Sequence, residues 1–155
     1  MNNEQTIKNF LETFFKCCHI SNYEIDIKKY ESENKIFINV NIPMKASLFI
    51  GRFGSNLEAF ETIFCDMINL NNQAETSCRV EFDINGYRLN RIRDLQELAR
   101  STAQKVMVFK APVSLEPMSG RDRKIIHTEI ALYPDLSSES EGSFPNRHVV
   151  ISYRK

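Results

Sequence analysis

Nowhere in the 155 residues is there an apolar run approaching the roughly 20 that a membrane span requires. No secretory leader is expected at the N-terminus either, because Glu4, Lys8, Glu12 and Lys16 break up any apolar core there. Glycine and proline number only five each, which excludes collagen-like and low-complexity chains. The four cysteines, Cys17, Cys18, Cys65 and Cys78, form no C-x-x-C pair, so a disulfide framework is not expected. A reduced, cytoplasmic protein with buried thiols is the reading that follows. Three histidines and these scattered cysteines offer no metal-ligand spacing, and no cofactor is implied. Phosphate-loop, zinc-protease and nucleophile-elbow motifs are all missing, so no enzymatic activity and no small-molecule substrate are expected.

Net charge is lacking as well: 20 Lys and Arg balance 20 Asp and Glu. The balance hides an asymmetry. Through Gly86 there are 8 basic against 12 acidic residues, a charge of −4; from Tyr87 onward there are 12 against 8, a charge of +4. Two modules are suggested, the second better suited to attract phosphate.

What is present is strong local periodicity. Ile7, Phe10, Leu11, Phe14 and Cys18 recur at helical spacing over Asn3 to His19. Two alternating stretches, Tyr23 to Tyr30 and Lys35 to Ile42, read as a hairpin. A short helix over Met44 to Ile50 leads into Gly51-Arg52-Phe53-Gly54. Ser55 with Glu58 then carries a capping-box signature for a helix with Leu57, Phe60, Phe64 and Ile68 on its buried stripe. Asn69 to Ser77 reads as polar loop, and Cys78 to Ile84 as a third strand ended by Asn85-Gly86. A long helix over Tyr87 to Phe109 presents Leu89, Ile92, Leu95, Ala99, Ala103 and Val106 as its apolar side. There follow a short extended piece at Val113 to Leu115, a helix over Ser119 to Leu132, an edge strand at Leu136 to Glu141, a turn, and a last strand at His148 to Tyr153. The order, α-β-β-α-α-β then α-β-α-β-β, predicts an α+β fold of two small open-faced sandwiches in tandem, residues 1–85 and 86–155.

Two constellations carry chemistry. In the first, Gly51 and Gly54 bracket a loop between two helices. Glycines there let the backbone approach a phosphate, and the free N–H groups of the following helix point at the anion. Arg52 adds a charge. Phe53 would either stack on a base or tuck back against the helix. A tight helix-to-helix turn with no ligand explains the same two glycines equally well. The adjacent groove, walled by residues such as Ile50 and Leu57, would accept about four unstacked bases. In the second, Arg123 and His127 lie four apart and so share one helix face, directed outward while Ile125 and Ile126 turn to the core. Arg123 offers a fork matching phosphate, and His127 a ring to hydrogen-bond or stack.

Ile50-Gly51-Arg52-Phe53-Gly54-Ser55-Asn56-Leu57-Glu58-Ala59-Phe60 resembles the helix-loop-helix of a type II KH domain, and more narrowly that of the bacterial Jag (SpoIIIJ-associated) proteins. Leu115-Glu116-Pro117-Met118, Asp122 to His127, Ser140-Glu141-Gly142 and Pro145 to Ile151 resemble, in this order, the Arg-x-x-x-His domain that follows in that family. Asn85-Gly86-Tyr87-Arg88 matches at the junction. The resemblance implies single-stranded RNA binding, with single-stranded DNA as the other candidate ligand, and the role of an RNA chaperone or post-transcriptional regulator. It also implies a companion KH protein or a homodimer, and a link to cell elongation and the cell wall. Carried over as nucleic-acid-binding residues are Gly51, Arg52, Phe53, Gly54, Arg123 and His127, and also Arg147, which would reach phosphate from the strand beside the helix. Many family members carry a further N-terminal domain, which this chain is expected to lack. A protein-interaction module using the same surfaces is the competing expectation.

Overall fold

A computed structural model describes residues 3–71 and 79–154. They form an α+β fold of two compact units, Met1–Tyr87 and Arg88–Lys155. The first unit runs α1 (Asn3–Cys17), β1 (Glu24–Tyr30), β2 (Lys35–Asn41), α2 (Ala46–Ile50), α3 (Ser55–Asn71) and β3 (Arg79–Ile84). The second runs along α4 (Tyr87–Phe109) and continues through β4 (Val113–Ser114), α5 (Gly120–Ile130), β5 (Leu136–Glu141) and β6 (His148–Tyr153). The expected loop from Asn69 gives way to helix as far as Asn71; its remainder and Cys78 lie outside the described residues.

In the first unit the sheet order is β1-β2-β3, with β1 antiparallel and β3 parallel to β2. Period-2 alternation puts Ile36, Ile38, Val40, Val80, Phe82 and Ile84 on the face that α1 and α3 cover. On α1 the fully buried stripe is Ile7, Leu11 and Phe15, while Phe10 and Phe14 are half-buried at its side. The expected stripe of Ile7, Phe10, Leu11, Phe14 and Cys18 all reaches this core, and Phe15, which it omitted, joins Ile7 and Leu11 at its centre. Rings of Phe14, Phe49, Phe60, Phe64 and Phe82 interlock edge-on, tilted and, for Phe60 on Phe64, stacked, with centroids between 5.0 and 6.0 Å apart.

The free edge of β3 is partly closed from above. Arg79 and Asn85 direct their N–H groups to the carbonyls of Asn34, just before β2, and Val40 within it, both at 3.0 Å, so the alternate N–H of Phe82 faces outward. Glu61 of α3 accepts it at 3.0 Å. Where β3 ends, Asn85 and Gly86 adopt left-handed conformations (φ 55° and 67°), and the Asn85 amide grips Ile42 through both backbone groups at 2.8 Å.

The second unit has sheet order β4-β6-β5, all antiparallel, with β5 on an edge as its polar composition suggests. Leu95, Ala99, Ala103 and Val106 of α4 and Ile126 and Ile130 of α5 pack over Leu136, Val149 and Ile151. Leu89 and Ile92, expected on that apolar side, are exposed (55% and 38%), so the buried stripe begins only at Leu95. Two ion pairs tie the helices together. Arg91 donates to Asp122 from Nη2 at 3.0 Å and Nε at 3.3 Å, and Arg100 Nε donates to Glu129 at 2.8 Å. Both carboxylates are buried. The expectation of buried thiols fails: Cys17 is exposed, Cys18 and Cys65 are half-buried, and all three are free.

Candidate nucleic-acid interface

The glycine loop is built by conformations that ordinary residues resist. Gly51 has φ 73° and ψ 178°, a region open essentially to glycine alone. A Cβ there would lie 2.6 Å from Asn56 Cγ and 2.7 Å from Ser55 Oγ. Phe53 is left-handed (φ 55°), and Gly54 is buried with φ 82°. A Cβ on Gly54 would meet the Tyr87 ring at 3.2 Å. Asn56 donates back to the Leu48 carbonyl at 2.8 Å, pinning α2 across the loop to α3. Ser55 starts α3 as expected, but with helical φ/ψ (−57°, −36°) rather than the extended geometry of a flanking cap.

Arg52 is exposed and lies over the Phe53 ring with its guanidinium carbon 5.0 Å from the centroid. Phe53 is half-buried, so the aromatic is neither tucked away nor freely offered. Leu57 is completely buried in the core and walls no groove. In the segment leading into the loop, Met44 (71% exposed) and Leu48 (66%) reach the surface, and Ile50 is half-buried.

On α5, Ser119 caps the helix by accepting the Asp122 N–H at 3.2 Å. Arg123 extends back over this first turn, its Nη1 donating to the Met118 carbonyl at 2.9 Å. His127 departs from expectation. Its ring turns onto β5, where Nδ1 lies 2.7 Å from Ser138 Oγ and Nε2 2.8 Å from Ser140 Oγ. The expected outward pair is therefore a half-buried arginine tied to the Met118 carbonyl beside an anchored histidine. Burial of the ring pushes the His127 pKa below its usual 6.5, and the Arg123 charge adds to that. The neutral ring suits this site, since each hydroxyl can donate or accept as the tautomer requires.

Arg147 is exposed just before β6. Its carbonyl accepts the Met118 N–H at 3.2 Å, and Met118 in turn holds Arg123. One backbone residue thus links the two arginines at one end of the sheet. The glycine loop belongs to the other unit. Sequence reasoning missed the serines that seat His127, although their i, i+2 spacing on a strand places both on one face. It also missed Asp122 and Glu129 as ion-pair partners, for which local sequence holds no signal.

Residues 93–153 match the family model of the Arg-x-x-x-His domain, a span that includes Arg123, His127 and Arg147. The chain is 34% identical over 132 residues to the RNA-binding protein KhpB of Bacillus subtilis, covering 84% of this chain and 62% of the relative. It is 32% identical over 147 residues to RNA-binding protein KhpB of Clostridium symbiosum, covering 94% and 64%. Similarity to the protein of that name in Lactiplantibacillus plantarum extends over 111 residues at 34% identity, 34% of that relative. The chain thus spans less than two thirds of the length of each of these relatives. No helix among the described residues is long and apolar enough to cross a membrane.

Proposed function

We propose that this protein binds single-stranded RNA through two surfaces, a type II KH module in residues 1–85 and an Arg-x-x-x-His module in residues 86–155. The observation that carries the reading is the Gly51–Gly54 turn. Its backbone excludes a side chain at Gly51 and sets an exposed arginine before the first turn of a 17-residue helix. Such a turn lets a phosphate approach main-chain N–H groups closely. The name borne by its relatives, RNA-binding protein KhpB, supports the same assignment. Arg123 and Arg147 supply phosphate contacts in the second module, and His127 positions α5 on β5 rather than touching RNA through its nitrogens. The protein acts by binding in the cytoplasm, as an RNA chaperone or post-transcriptional regulator connected with cell elongation and cell-wall homeostasis. A companion KH protein or a second copy is its expected protein partner.

The test is a titration with short single-stranded RNA and DNA at two salt concentrations. Gly51→Asp with Gly54→Asp should abolish most binding. Arg123→Ala should weaken binding and flatten the salt dependence. Folded double-loop variants that bind like wild type would refute the KH assignment. Zero net charge, with Met44 and Leu48 exposed in the segment leading into the loop, favours one rival reading, a docking site for a partner protein. RNA that fails to displace such a partner would support it.

A further inference from the structure

At the tip of the β5–β6 hairpin, Phe144 is 94% exposed, the most exposed large apolar side chain among the described residues. The turn that carries it is closely tied. Asn146 donates its N–H to the Ser143 carbonyl at 2.8 Å, and His148 Nδ1 lies 3.0 Å from the Asn146 carbonyl. Gly142 has φ 79°, and a Cβ on it would meet that same carbonyl at 3.2 Å. The backbone under Phe144 is therefore held in one shape while its ring stands in water. Taking a phenylalanine ring out of water is favourable in general, and no neighbouring side chain takes this one in.

The ring has basic company. Arg147 is exposed three residues on in the same turn, and its carbonyl leads through Met118 to the Arg123 guanidinium. An aromatic face beside cationic side chains is the combination that binds single strands: bases stack on the ring while the charges follow the backbone. Glu141, paired across the hairpin with His148, adds one negative charge at the foot of the turn. We infer that Phe144 is a base-stacking residue, taking one unpaired base of a strand whose phosphates lie on Arg147 and Arg123. The inference rests on the nucleic-acid reading above and adds to it a stacking contact in the second unit.

The chain contains no tryptophan, so Phe144→Trp creates a single indole reporter at the site. With the full chain, oligoadenylate should quench that fluorescence. Phe144→Ala should lose at least about fivefold in affinity, given the usual contribution of one stacked base. Its salt dependence should stay unchanged, whereas Arg147→Ala should lower the slope. Oligouridylate, with its smaller bases, should show the smaller Phe144→Ala loss. Unaltered affinity in Phe144→Ala, or an indole that RNA leaves unquenched, overturns the stacking role while leaving RNA binding intact. Wild-type protein that binds neither oligonucleotide overturns the RNA reading itself, and the stacking role with it.

Discussion

Gly51 and His127 sit at the two candidate surfaces and obey opposite rules. Gly51 is there for what it lacks. Alanine at this position would hold a strained φ and press its Cβ against Asn56, so Gly51→Ala should cost about 1–3 kcal/mol. Denaturant unfolding of the variant checks this, and an unchanged midpoint would mean the loop relaxes freely. His127 is there for what it bonds. Because burial holds its folded pKa below 6.5, the unfolded chain takes up a proton more readily than the folded one. Its contribution is therefore largest above about pH 6.5 and declines as pH falls from there toward the lowered folded pKa. Melting temperatures recorded across that window should drop for wild type and be flatter for His127→Gln; parallel curves would contradict the assignment.

Among the elements, α5 owes its position to more than its apolar face. Asp122 is buried and accepts two hydrogen bonds from Arg91, so removing the arginine strands a carboxylate in a site poor in water. Arg91→Ala should destabilise the second unit by about 1–3 kcal/mol, the usual cost of an orphaned buried group. Amide exchange along α5 should accelerate in that variant. In the first unit, Glu61 covers an outward N–H of β3. Glu61→Ala should expose the Phe82 amide and speed its exchange, and Glu61→Gln, which keeps an acceptor, should retain protection. Equal protection in both variants would show that the helix alone shields the edge.

Taken whole, the molecule has no net charge to draw a polyanion, only a divided one. Attraction must come from the +4 half while the glycine loop sits in the −4 half. Affinity for RNA should accordingly be modest and steeply salt-dependent, each lost phosphate contact lowering the logarithmic salt slope by about 0.7 for a single strand. Comparing Arg123→Ala with wild type over a salt series measures that increment. A flat wild-type slope would assign binding to apolar contacts instead.

The element order and the two three-stranded sheets follow from local signals: period-2 runs in the strands, 3.6-residue stripes in the helices, and Asn85-Gly86 as a double left-handed turn. The glycine loop was legible for the same reason, since Gly51 and Gly54 serve backbone conformations that only neighbouring residues define. Leu57, Leu89 and Ile92 were misplaced because periodicity names an apolar face without saying how far along the helix its cover extends. Side-chain pairing was beyond local reading altogether. The chain by itself determined its elements and where its candidate surfaces lie, because those depend on contacts within a few residues. Only the tertiary structure decided that His127 turns in onto Ser138 and Ser140, that Arg91 and Arg100 neutralise Asp122 and Glu129, and that Glu61 covers β3. Those partners lie 11 to 31 residues apart, and packing brings them together.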